Sequence, residues 1–225
     1  MRMQNTIQME ELASKGFIVL AMDHAFDANI TLFNDGSSAN YRSAIIGEVT
    51  TEEFWNIRLP QINTRVADVS FVLDYIKDIQ GGDDGFWGMI DLERVGIMGH
   101  SFGGGTAIVA SSRDTRLDAC IALDGWLVPV EQSIIKRGLT VPFLYMGRTH
   151  WDNPVNYENL DTLIAASTAS AEKLILDGTK HFDYSDTPQF NTTSSKFGIS
   201  GTMDLDELRI LLNSRIVSFF ELNLQ

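Results

Sequence analysis

Cysteine is nearly absent from this 225-residue chain, and the single Cys120 rules out a disulfide within it. Cys120 lies in the apolar run from Ala119 to Leu123, which reads as core rather than as a reactive thiol. Four scattered histidines beside that one cysteine offer no zinc-ligand spacing, so no metal is expected. Apolar runs all stop short of a membrane span, which excludes an integral membrane protein. Positive charge is also short: 17 Lys and Arg face 30 Asp and Glu, for a net charge of -13 and no basic stripe. Such a surface repels phosphate backbones, so nucleic acid is excluded as a partner. With only five prolines and no Pro/Ser/Gly-rich linker, residues 1–225 read as one domain able to bury a sizeable core. The start Met1-Arg2-Met3-Gln4 carries no cationic-then-apolar signal pattern, and the compartment stays open.

What the chain does have is the stretch Val95-Gly96-Ile97-Met98-Gly99-His100-Ser101-Phe102-Gly103-Gly104-Gly105. It reads as a buried strand, a sharp turn carrying one serine, and a helix start, which together make a nucleophile elbow. Glycines at 99 and 103 are expected because a Cβ at either would collide with the neighbouring strand or helix. The strained turn lifts the Ser101 hydroxyl above the sheet.

Around this elbow, strand and helix patterns alternate. Met3 to Lys15 reads as a short helix, Gly16 to Met22 as a buried parallel strand, and Ala28 to Asn56 as an irregular excursion over the site. Pro60 to Ile79 carries Ile62, Val66, Val69, Leu73 and Ile76 at helical spacing, and Asp83 to Leu92 is a loop. Strands at Leu117 to Leu123, Val141 to Gly147 and Glu172 to Leu176 alternate with helices at Val128 to Arg137, Pro154 to Ala166 and Asp204 to Asn223. The pattern implies an α/β fold, a mostly parallel sheet with helices on both faces.

Such a sheet carries its functional residues on loops at the carboxyl ends of its strands. Asp124 and His181 pass that filter, and the order Ser101, Asp124, His181 is the order of an α/β-hydrolase triad. Serine is a weak nucleophile unless a base such as His181 takes its proton, and Asp124 would hold the imidazole and stabilise its cation. The first N–H of the elbow helix, from Phe102, would serve the oxyanion. Trp126, Phe102, Trp151 and His24 are candidates for the substrate pocket, while His100 inside the elbow reads as a packed, hydrogen-bonded residue. Asp183 and Asp186 read as solvated loop acids.

Through Gly99-His100-Ser101-Phe102-Gly103-Gly104 and Ala122-Leu123-Asp124-Gly125-Trp126, the chain resembles the platelet-activating-factor acetylhydrolase-like, dienelactone-hydrolase-like branch of the α/β-hydrolases. The strand-end residues Phe17 to His24 look similar too. The resemblance implies an α/β-hydrolase fold and cleavage of carboxylic esters through an acyl-serine. The substrates it implies are short-chain acyl esters or platelet-activating-factor-like phospholipids, with neither calcium nor cofactor. It selects Asp124 as the triad acid; many other α/β-hydrolases place the acid one strand later, where this chain offers Asp152. The alternative reading is a weak or inactive hydrolase-fold protein that binds a ligand or partner. The resemblance also implies a strand between the equivalent of Phe17 to Met22 and the elbow strand, followed by a His-Gly-marked loop giving a second oxyanion N–H. Neither is found in this sequence, so an N-terminally shortened hydrolase is expected. Its sheet would be rearranged or completed by a second copy as a homodimer, and its oxyanion hole would be incomplete.

Overall fold

Helix α1, Thr6–Ser14, opens the chain, and its first two N–H groups, of Thr6 and Ile7, donate to the Asp186 carboxylate at 2.6 and 3.4 Å. An acid from far along the chain thus satisfies donors that a helix start leaves orphaned. The structure is a computed structural model and describes every residue except 1, 43, 44, 46, 83, 84, 191 and 192. A short antiparallel hairpin follows, β1 (Ile30–Leu32) with β2 (Ser38–Asn40). The expected excursion from Ala28 to Asn56 is therefore partly ordered, although residues 43, 44 and 46 of it lie outside the described residues.

Helix α2 spans Thr51–Gln80, nine residues more at its start than the expected Pro60. The reason is a capping box: Thr50 accepts from the Glu53 N–H, and the Glu53 carboxylate accepts from the Thr50 N–H at 2.8 Å. Pro60 is left inside the helix. The buried face is the expected one, with Ile62, Val66, Val69, Leu73 and Ile76. The loop expected from Asp83 to Leu92 contains a 3₁₀ turn at Trp87–Met89, with residues 83 and 84 outside the described set.

The main sheet comprises β3 (Gly96–His100), β4 (Ala119–Leu123), β5 (Phe143–Arg148) and β6 (Ala171–Leu176), all parallel, in the order β3-β4-β5-β6. The intervening helices are α3 (Phe102–Arg113), α4 (Gln132–Arg137) and α5 (Val155–Ala166), and α6 (Leu205–Asn223) closes the chain. Strand alternation sends Cys120 and Ala122 into a cluster with α2, α3, α4 and α5. Ala119, Ile121 and Leu123 turn to the other face, where α1 and α6 supply Leu12, Leu208, Leu212 and Ile216. Strand β4 is buried at all five positions, as expected for the centre of a sheet covered twice.

One expected strand does not form. Gly16 ends a turn at φ 91, and residues 17–22 carry no strand ladder, because no strand lies beside them among the described residues. Phe17 and Val19 still pack with the α1/α6 cluster and Met22 with the other. Between this segment and β3 lies a cavity of about 1110 Å³ lined by both. The Val95 carbonyl and Ser101 N–H bond toward β4, so by alternation the backbone of Gly96, Met98 and His100 faces the cavity. The cavity lies on the side of β3 where the resemblance implies a further strand.

Candidate active site

Ser101 sits between β3 and α3 with φ 58 and ψ -120, a conformation that side-chain-bearing residues rarely adopt. Its backbone is clamped: the N–H donates to the Leu123 carbonyl at 3.0 Å, and its carbonyl accepts from Gly104 at 3.0 Å and Trp126 at 2.8 Å. Gly99 is required by this packing, since a Cβ there would fall 2.2 Å from the Gly103 carbonyl oxygen. Gly103 is not, because a Cβ there meets nothing within 4 Å; the expected collision at 103 is corrected to open space. Phe102 opens α3, so its N–H has no carbonyl a turn earlier to bond.

His181 opens a 3₁₀ turn, His181–Tyr184, after β6. Its Nε2 lies 2.9 Å from Ser101 Oγ and its Nδ1 lies 2.6 Å from Asp124 Oδ2. Asp124, just past β4, is fully buried with φ 39. A hydrogen-bonded relay thus runs from Asp124 through His181 to Ser101. A carboxylate on Nδ1 leaves Nε2 free to take the serine proton. Asp152 is exposed and makes none of these contacts, and His150 is exposed beside it.

The remaining candidates fall in four places. His100 donates from Nε2 to the His181 carbonyl at 2.9 Å and accepts at Nδ1 from Gln4 at 2.8 Å. Burial, then the neighbouring His181, pushes its pKa down to about 3, so it is a neutral support for the His181 backbone. Trp126 stacks edge-on against Phe102 at 5.6 Å and Phe54 at 5.9 Å. Arg65 lies 4.4 Å over the Phe102 ring, and Arg58 lies 5.3 Å over Trp126. His24 lines the same cavity as Ser101, with Nδ1 2.7 Å from Asp68, and burial lowers its pKa. Trp151 does not stand apart as a pocket wall: its indole N–H donates to Asp124 Oδ1 at 3.0 Å.

Several residues escape the sequence reading. Tyr145 and Arg148 of β5 both reach Asp124, at 3.4 Å from the phenol and 3.2 Å from the guanidinium Nε. Arg148 ends its strand, so the filter that selected Asp124 would have found it. Asp183 and Asp186 are buried, not solvated: Asp183 accepts from Lys180 N–H at 2.7 Å and Gly201 N–H at 2.8 Å, and Asp186 caps α1. Among the described residues no three His, Cys, Asp or Glu side chains gather as metal ligands, and no helix is long and apolar enough to cross a membrane.

Against this geometry, the family model described as platelet-activating factor acetylhydrolase, isoform II, matches residues 5–225. The chain belongs to this family. The platelet-activating factor acetylhydrolase of Canis lupus familiaris is 27% identical over 95% of this chain and 52% of that protein. A probable 1-alkyl-2-acetylglycerophosphocholine esterase of Arthroderma benhamiae is 27% identical over 88% of the chain and 49% of its own length. The cutinase est1 of Thermobifida alba is 26% identical over 72% and 38%. The chain thus spans about half the length of these first relatives. A solved ferulic acid esterase from Streptomyces cinnamoneus superposes with a TM-score of 0.78 at 24% identity, over 100% of this chain and 64% of that one. That likeness establishes the fold, α/β with a parallel sheet, that the family shares.

Proposed function

We propose that this family member is a serine hydrolase that cleaves carboxylic esters through an acyl-serine intermediate. One observation carries the reading: the unbroken relay Asp124–His181–Ser101 at 2.6 and 2.9 Å, set at the carboxyl end of a parallel sheet. Ser101 Oγ attacks the ester carbonyl carbon while His181 Nε2 takes its proton, and Asp124 stabilises the imidazolium. The oxyanion lies against the Phe102 N–H. His181 then returns the proton to the departing alcohol oxygen, leaving the acyl-serine. Water repeats the sequence with the same base and releases the acid. Short-chain acyl esters, including platelet-activating-factor-like phospholipids, are the substrate class, a choice supported by the names of the relatives.

The open gap beside β3 favours a second copy that lends it a strand, since unpaired buried backbone is costly. Light scattering on the pure chain checks this: a dimer supports it, and a monomer at all concentrations removes it.

Two aspartates test the assignment of the relay. Asp124→Asn lowers turnover by roughly 10⁴-fold, as amidation of a triad aspartate does, and Asp152→Asn leaves it near wild type. Steady-state kinetics on a p-nitrophenyl ester that reversed this ranking would move the acid to Asp152.

A further inference from the structure

The buried Asp124 carboxylate gives only one of its oxygens, Oδ2, to His181. The other, Oδ1, must be held for the plane of the carboxylate to stay fixed, because rotation about its last bond is soft. Three groups point at Oδ1: the Trp151 indole N–H at 3.0 Å, the Arg148 backbone N–H at 3.3 Å and the Tyr145 hydroxyl at 3.4 Å. Burial, reinforced by the Asp124 charge, pushes the Tyr145 phenol far above its usual range, so it stays a neutral group. Trp151 makes the shortest of the three contacts. An indole N–H is a donor with no acceptor capacity, so it cannot turn round and compete for a proton.

Trp151 also touches the other half of the relay. Its ring meets the His181 imidazole edge to face, with centroids 5.3 Å apart and an interplanar angle of 74°. The Arg148 guanidinium lies 4.5 Å over the indole, while its Nε stands 3.2 Å from Asp124 Oδ2. The indole is thus pinned by the same cation that compensates the buried carboxylate. One side chain from the loop after β5 fixes both the acid's orientation and the base's ring, although it lies outside the chain of proton transfer.

We propose that Trp151 is a positioning residue of the Ser101–His181–Asp124 relay, holding Asp124 by its indole N–H and His181 by its ring, so that turnover rather than substrate binding depends on it. The proposal rests on the reading of that relay as a hydrolytic triad. Trp151→Phe keeps an aromatic ring and removes the N–H. It lowers kcat by about 10- to 100-fold, the scale on which small misplacements of a catalytic group act, and leaves KM within about twofold.

A double-mutant cycle separates positioning from simple support of the loop. In an Asp124→Ala background no carboxylate remains to be held, so adding Trp151→Phe changes kcat by less than about twofold. Equal losses in both backgrounds, or a loss confined to KM, would overturn the proposal. Benzothienylalanine at 151, which keeps the bicyclic shape and lacks the N–H, gives the same kcat loss in a protein whose fold is checked by circular dichroism. Retention of full kcat by that variant also refutes the role. Labelling by a fluorophosphonate distinguishes the two levels of failure: a wild type that is not labelled overturns the triad and the proposal together. A labelled wild type whose Trp151→Phe variant labels equally fast overturns the proposal alone.

Discussion

At position 100 a buried imidazole is held neutral between a carbonyl it donates to and an amide it accepts from, and that has a cost at low pH. Its pKa in the fold is about 3 against 6.5 for an ordinary histidine, with burial the main cause. Below pH 6.5 the unfolded chain takes up a proton that the folded one refuses, so stability falls as pH falls through this window. The slope from His100 approaches about 1.4 kcal/mol per pH unit. His24, lowered by burial, adds in the same direction. Urea midpoints at pH 7 and pH 5 check this: the wild type loses stability over the interval, and His100→Gln loses markedly less. Gly99→Ala drives a methyl into the Gly103 carbonyl and destabilises by about 3 kcal/mol, whereas Gly103→Ala, facing open space, stays within about 1 kcal/mol of wild type. Ser101, Asp124 and His181 were legible because each stands at a strand end, where sequence pattern and chemistry coincide. Tyr145 is not legible, because an apolar run hides which strand residues face the site and which strand is the neighbour, whereas Arg148 ends its strand and shares the pattern that marks Asp124. The burial of Asp183 and Asp186 is not legible either, because Gly201 and Thr6, which bond to them, are distant in sequence, and the local Lys180 bond alone does not imply burial.

Helices and strands divide by where their stabilising partners come from. Helix α2 shows its buried stripe in the sequence, but its start is set by the local pair Thr50 and Glu53, ten residues before the proline that suggested a first turn. Pro60 therefore sits in a helix interior, where it lacks an N–H and crowds the preceding turn. Pro60→Ala raises the stability of the protein by about 1 to 3 kcal/mol, readable as a higher urea midpoint. A lower midpoint would mean that the helix bends there to a purpose. The segment from Gly16 to Met22 shows the opposite case. Its apolar run is that of a buried strand, yet a strand exists only when a neighbour takes its N–H and C=O groups, and here a cavity of about 1110 Å³ stands where that neighbour would pair. Residue pattern specifies the candidate strand; hydrogen bonds to another segment decide it.

For the whole molecule, the four-stranded parallel sheet buries one face under α2, α3, α4 and α5 and the other under α1 and α6. Its carboxyl edge brings together three residues separated by up to 80 positions, and the His181 to Ser101 contact closes that span. The family membership rests on the match over residues 5–225, and the chemistry turns on whether Ser101 is an activated nucleophile. Intact-protein mass spectrometry after treatment with a fluorophosphonate is the most direct test, because it reads the nucleophile without any choice of ester. One adduct per chain is expected, mapped to Ser101, absent from Ser101→Ala and formed far more slowly by His181→Ala. A folded wild-type chain that takes up no label, or labels elsewhere, would contradict that expectation.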